Sequence, residues 1–329
     1  MNTLSIEQYP VFSFRFVKAY IITMRPYLMF VSGATTIVGM SFATELSLTK
    51  AILIFLAGFL SYGFGQALTD CFQIDTDSIS SPYRPLTQGI VNRNYFLVIS
   101  SIGLLFCISV LAFLNPVNIG LGTLAGFGLS TYTTFKRKWW AGPFYNAWIV
   151  LVLFLMSYLA VSGNTHLNFS NLIFLAAGIS VFFGYANFVL TGYFKDISAD
   201  RATSYNTLLV RFGRKFSAIV SDVFASIVSV SVFVFILVLS FDSVPFHTII
   251  KGLIFIYAGI GMSILTQISL HNVKTDTEAH LAIAPCVHSY ILILSGLAIL
   301  NRPDWFFPLI TFYFLYIVTL KLRPAKEQI

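Results

Sequence analysis

The chain has 329 residues, of which 57% are hydrophobic and only 10% charged, and its mean hydropathy is +0.82. Soluble domains carry about 25% charged residues, so this composition excludes a water-soluble globular fold and places the chain in a bilayer. The net charge of +7 would suggest nucleic acid in a soluble protein; here the sidedness of Lys and Arg across a membrane explains it, and no nucleic-acid partner is expected.

Met1 to Pro10 is polar, and no short apolar core with a small-residue cleavage site precedes the first long apolar run, so no cleaved signal peptide is expected. Runs long enough to span a bilayer follow at 20–44, 50–69, 95–115, 117–135, 143–162, 168–194, 215–240, 246–269, 282–300 and 304–321. None shows sustained apolar/polar alternation, so the spans are read as helices and not as barrel strands. The expected fold class is an all-α polytopic membrane protein, a bundle of about nine or ten transmembrane helices. It forms one domain over 1–329, with residues 1–19 and 322–329 as cytoplasmic terminal segments. The last two spans are separated only by Asn301-Arg302-Pro303. With the N-terminus in the cytoplasm, every Lys and Arg except Lys50, Lys251 and Arg302 falls on the cytoplasmic side. That asymmetry supports an N-in, C-in topology in an integral multi-pass protein, of the inner or plasma membrane in a bacterium. It gathers the loops at 70–93, 136–142, 195–214 and 271–281 on one face. The three cysteines, Cys71, Cys107 and Cys286, are too few and too scattered for a disulfide framework or a zinc site.

Two acidic windows stand out on that face. In "LTDCFQIDTDSISSPYRPLTQG", Asp70, Asp75 and Asp77 fall within eight positions; in "YFKDISADRATSYNTLLVRFG", Asp196 and Asp200 are i,i+4. If the second span continues helically, Asp70 and Asp77 lie about 20° apart with Gln73 between them, and Asp75 points away. Clustered carboxylates repel unless a cation lies between them. Oxygen-only ligands suit magnesium, which is held by one or two carboxylates and keeps positions for water and substrate phosphates. Arg84, Lys136, Arg137, Lys195 and Arg201 are close in sequence and can meet phosphate oxygens. The inference is a diphosphate held between two magnesium-binding faces at the membrane surface.

These residues resemble the UbiA superfamily of intramembrane prenyltransferases. The family's N-D-x-x-D-x-x-x-D motif is matched by "TDCFQIDTD", the following R-P and Gly by "PYRPLTQG", and D-x-x-x-D by "DISAD". "YTTFKRKWWAGPFYN" is similar to the family's Tyr/Lys loop, and "MRPYLMF" to a first-span segment whose Arg faces the diphosphate. The resemblance implies that Asp70, Asp77, Asp196 and Asp200 are the catalytic, magnesium-binding residues. It implies that Arg25, Thr69, Gln73, Arg84, Tyr132, Lys136, Lys195 and Arg201 contact the substrate diphosphate. It implies a Mg2+-dependent enzyme that ionises an allylic polyprenyl diphosphate and transfers the prenyl group to a lipophilic or aromatic acceptor, releasing diphosphate. Two departures are Thr69, where the family has Asn, and Gln73, where it has the middle Asp.

Gln73 keeps a terpene cyclase on the same scaffold open as an alternative. A transporter or non-catalytic scaffold is disfavoured, because the acidic residues sit at one face and not at the midplane. Tyr132 and Tyr193 are the rings best placed for an allylic cation. Asp222 lies inside a span and is either functional, or protonated, or paired near the basic end that begins with Arg214 and Lys215. Asn187 and Asn146 orient an acceptor or link helices. The polar stretch "HNVKTDTEAH" at 271–280 is a lid over the site or an ordinary loop.

Overall fold

Proline at position 26 has no N–H with which to continue a helical ladder, and it disfavours right-handed helical backbone at the residue before it. In the structure, a computed structural model describing residues 8–241 and 246–323, the first expected span is accordingly two helices. α1 (Phe14–Met24) and α2 (Pro26–Met40) meet at a bend of 51°, and Arg25 between them takes the left-handed region at φ 53° and ψ 70°. The expected N-terminal segment 1–19 therefore overlaps α1 at its end; residues 1–7 and 324–329 lie outside the described residues.

The Ser47 side chain accepts from the Lys50 N–H and caps α3 (Leu48–Asp70). α3 then stops. A separate helix, α4 (Ile74–Ser80), begins after Gln73, whose φ of −121° and ψ of 19° are not helical. The continuous helix expected through Asp77 is broken, in a stretch whose Thr and Asp side chains compete with the helical ladder. α5 (Arg93–Leu114), α6 (Val117–Lys136), α7 (Gly142–Ser162) and α8 (Leu172–Tyr193) follow the expected spans closely, and a second short helix, α9 (Ile197–Ala202), comes next. α10 (Leu208–Phe241) is interrupted at Gly213, with φ 78° and ψ 176°, a conformation essentially reserved for glycine. α11 (Phe246–Asn272), α12 (His280–Asn301) and α13 (Phe306–Lys321) complete the chain. The brief break after Asn301 is a true turn: Asn301 Nδ2 donates to Ser41 Oγ at 3.0 Å and Arg302 Nη1 to the Ala43 carbonyl at 2.9 Å.

Among the described residues, eight helices are long and apolar enough to cross a membrane, α3, α5, α7, α8, α10, α11, α12 and α13, and the bent α1–α2 pair makes a ninth. The remaining expected span is α6, a helix carrying four glycines that packs between α5 and α7. The fold is an all-helical polytopic membrane bundle.

A helix that is apolar on every side belongs in the interior. α2 is buried at every residue from Tyr27 to Met40, and it packs against α3, α7 and α12. Close approach of α2 and α3 depends on Gly58, where a Cβ would lie 1.9 Å from Thr36 Oγ1. Gly58→Ala is expected to cost about 1–3 kcal/mol through overpacking, read as a lower thermal unfolding midpoint in detergent. Thr36 Oγ1 is buried without a hydrogen-bond partner, so adding Thr36→Ala should recover most of that loss.

Candidate active site

Helix ends are where orphan backbone groups and polar side chains collect. The α1–α2 junction, the end of α3, α4, the end of α6 and the end of α8 together enclose a polar chamber of about 770 Å³. Arg25 reaches Asp70 with one nitrogen, at 3.0 Å to Oδ1 and 2.8 Å to Oδ2, and Gln66 Nε2 donates to Asp70 Oδ1 at 2.6 Å. Arg84, from the turn after α4, pairs closely with Asp77 and lies 3.7 Å from Asp70. Lys136, at the last residue of α6, is buried. Its Nζ donates to Gln73 Oε1 at 3.1 Å and stands 3.6 Å from Asp196 Oδ2 and 3.8 Å from Asp200 Oδ1. The rings of Tyr193 and Tyr205 lie 5.3 and 5.5 Å from the same ammonium.

Of the sequence-assigned residues, Arg25, Thr69, Asp70, Gln73, Asp77, Arg84, Tyr132, Lys136, Lys195 and Asp196 all line the chamber. Asp200 stands directly behind it, fully buried, with Thr207 Oγ1 donating to its Oδ2 at 3.2 Å. Thr69 turns its hydroxyl back to the Gln66 carbonyl, and Tyr132 and Tyr193 share a hydroxyl hydrogen bond of 3.0 Å. Arg201 is not brought in. It is exposed and absent from the chamber wall, because one step along α9 from Asp200 turns a side chain by about 100°. Asp75 also faces outward, paired with Arg137 at 3.2 Å and accepting from the Tyr205 hydroxyl.

Asp222 pairs with His271 at 2.8 Å and not with Arg214 or Lys215. Asn187 Oδ1 accepts from Ser221 at 2.5 Å, linking α8 to α10, whereas Asn146 lines the chamber. The 271–280 stretch is latched to α9: Asp276 accepts from the Ser198 N–H at 2.8 Å and from Arg214 at 2.5 Å. Residues missed in the sequence include Gln66, which was findable as the i−4 neighbour of Asp70, and Tyr62, Tyr185, Tyr205 and Thr207, which carried no local signal.

A second, largely apolar cavity of about 840 Å³ runs among α3, α5, α6 and α7. Tyr62, Gln66, Thr69, Asn146 and Tyr185 line both spaces. The polar chamber and the greasy one therefore lie side by side, with these five residues forming the neck between them.

Burial pushes Asp200 up to about 7, with Lys136 opposing and Asp196 reinforcing the shift. Asp77 is likewise raised by burial, against the pull of Arg84. Burial also works against the charge on Asp196, but Lys136, Lys195 and Arg84 together hold it below the usual range. Burial lowers Lys195 to about 8. Among the described residues no three His, Cys, Asp or Glu side chains cluster as a metal cage. The donors instead form two carboxylate pairs, and Asp196 Oδ1 and Asp200 Oδ1 are buried without a hydrogen-bond partner. Such free, oxygen-only donors fit a hard cation of the magnesium kind.

Buried and exposed ion pairs here should behave differently. Arg84→Met strands Asp77 and is expected to cost about 3–5 kcal/mol. Asp75→Asn, at an exposed pair, should cost no more than about 1 kcal/mol. Thermal unfolding of both variants in lipid nanodiscs checks the contrast.

A family model described as the UbiA prenyltransferase family matches residues 32–284. Digeranylgeranylglyceryl phosphate synthase of Pyrococcus abyssi is 26% identical over 219 residues, covering 66% of this chain and 77% of that protein. Its namesake in Methanoregula boonei is 25% identical over 206 residues, covering 62% and 72%. In structure, the chain resembles a UbiA homologue from Aeropyrum pernix (TM-score 0.65, 19% identity, 82% of this chain and 96% of that one). It also resembles a UbiA homologue from Archaeoglobus fulgidus bound to DMAPP and Mg2+ (TM-score 0.61, 17% identity, 86% and 99%). With 253 of its 329 residues inside the family match and the paired acidic segments enclosing one chamber, the chain belongs to the UbiA prenyltransferase family.

Proposed function

We propose that the polar chamber holds the diphosphate of an allylic prenyl diphosphate and that the apolar cavity holds its tail, so that the reacting carbon lies at the neck between them. The observation that carries this reading is that the two spaces adjoin and share Tyr62, Gln66, Thr69, Asn146 and Tyr185 in their walls. A charged head and a hydrocarbon tail need two such environments in one line.

Arg25, Arg84 and Lys136 lie where diphosphate oxygens would sit, and Arg suits them by its forked donors. Asp70, Asp77, Asp196 and Asp200 would hold Mg2+, which when bound supplies positive charge against the departing diphosphate. The bond between the allylic carbon and the diphosphate oxygen breaks, and its electron pair leaves with the diphosphate. The resulting cation meets the electron-rich tyrosines around the neck. A nucleophilic atom of the acceptor then bonds to that carbon and gives up its proton. Preorganised charge in a site away from bulk water supports the first step most.

The name borne by the relatives supports a glyceryl phosphate lipid as the acceptor class. The charge asymmetry of the sequence supports placing the chamber at the cytoplasmic face. Gln73 spends its carbonyl on Lys136 and stands outside the neck's shared lining, away from where the cation would be captured. Incubation with geranyl, farnesyl or geranylgeranyl diphosphate, Mg2+ and a lipid extract tests the reading by mass spectrometry. A prenylated lipid is expected; a hydrocarbon from the diphosphate alone would mean a cyclase.

Replacing both Asp196 and Asp200 by Ala should lower Mg2+-dependent diphosphate release by at least about 100-fold, the scale of losing preorganised electrostatic stabilisation. Activity surviving that change in purified protein would sink the mechanism. Gly126 lines the apolar cavity with no atom within 4 Å of where its Cβ would be. Gly126→Phe should therefore fill the tail space, lowering kcat/KM for geranylgeranyl diphosphate about tenfold more than for geranyl diphosphate, about 1.4 kcal/mol of discrimination.

A further inference from the structure

Four cations line the polar chamber, and three are committed. Arg25, Arg84 and Lys136 each have a carboxylate within 4 Å. Lys195 has neither a carboxylate that close nor a hydrogen bond among the described residues, although it stands in the same wall and is attracted by Asp196 from further off. Its position explains the difference, because Lys195 also lines a separate cavity of about 720 Å³. That cavity lies between the end of α4, the start of α9 and the stretch leading into α12, and its polar wall comprises Ser80, Lys195, Ser198, Asp276, Thr277 and His280.

The charge of this second cavity follows from its partners. Among the described residues Asp276 is its one carboxylate, and it is already satisfied: Arg214 balances its charge, and the Ser198 N–H occupies its other oxygen. What is left over is an ammonium that feels Asp196 at longer range but is in direct contact with no carboxylate, and hydroxyl groups around it. The complementary ligand is an anion with several acceptor oxygens, and a phosphate group meets that description.

We propose that this second cavity is a phosphate-binding site beside the diphosphate chamber, sharing Lys195 with it. The proposal rests on the reading of the chamber as the diphosphate site. Two sources carry the same chemistry: the phosphate head of an acceptor lipid on its way in, and the inorganic diphosphate on its way out. The Asp276 latch keeps the outer wall in place, so the cavity is formed by the folded chain itself.

The test uses the full chain in nanodiscs of neutral phosphatidylcholine, with the chamber saturated by a non-hydrolysable prenyl diphosphate analogue and Mg2+. Radiolabelled inorganic phosphate should still bind. Thr277→Glu and Ser198→Glu each set a negative charge in the cavity wall at exposed positions, and each should weaken that binding at least about tenfold. Thr277→Gln, of the same size without the charge, should stay within about twofold of wild type. Phosphate binding that vanishes once the analogue fills the chamber, or that ignores both Glu variants, would overturn the second site. Turnover then separates the sources. A site for the acceptor predicts that Thr277→Glu raises KM for a phosphate-bearing acceptor and leaves KM for the prenyl diphosphate unchanged. A site for the departing diphosphate predicts a lower kcat and weaker product inhibition by inorganic diphosphate. Phosphate binding that responds to the Glu variants in a protein unable to transfer prenyl groups would overturn the transferase reading and leave the anion site standing.

Discussion

A single buried ammonium group joins the two acidic segments into one site. Lys136 comes from the end of α6, yet its partners are Gln73 from the break between α3 and α4 and Asp196 and Asp200 from the α9 region. Taking charges out of water is costly and is offset only where opposite charges are well placed. Separations of 3.6 and 3.8 Å to the two aspartates balance charge without using up their oxygens. Asp196 Oδ1 and Asp200 Oδ1 therefore stay free as donors. The arrangement holds the carboxylates together and leaves them able to bind something else.

The rest of the bundle is shaped around that need. Irregular backbone at membrane depth is tolerated where it is enclosed by protein or lines a polar space, and the breaks at Arg25 and Gln73 both border the chamber. Without the first, Arg25 would continue a helix and its guanidinium would follow the helical spiral away from Asp70. Without the second, α4 could not lie against α9, where the Thr76 and Thr203 hydroxyls meet at 3.1 Å. The almost wholly buried α2 and α12 give these breaks a rigid base.

How far this was legible in the sequence depends on the range of the forces involved. Spans follow from local hydropathy, and nine of the ten expected runs became single long helices close to their expected ends. The first did not, and the Arg25-Pro26 pair was the local sign of its break. The chamber's acidic residues were legible because they are clustered. The helical wheel placed Asp70, Gln73 and Asp77 on one side and Asp75 on the other, and the chamber wall agrees. The reason differs, since a broken helix delivers them. The same wheel would have turned Arg201 away from Asp200 and marked Gln66 as a partner of Asp70. No local pattern could reveal the Tyr205 ring under Lys136 and Arg137, the His271 partner of Asp222 or the latch from Asp276 to Ser198, because each joins segments many residues apart.

Gln73 gains a physical meaning from this geometry. Around the chamber the cations Arg25, Arg84, Lys136 and Lys195 face the carboxylates Asp70, Asp77, Asp196 and Asp200, four against four. An aspartate at 73 would add a fifth negative charge next to carboxylates whose ionisation burial already opposes at Asp77 and Asp200. Glutamine keeps the oxygen that Lys136 requires and omits the charge. On the proposed reading of the chamber, this balance would repel an incoming diphosphate less than an excess carboxylate would. The departure from the family pattern at this position thus trades one charged ligand for a more neutral cradle.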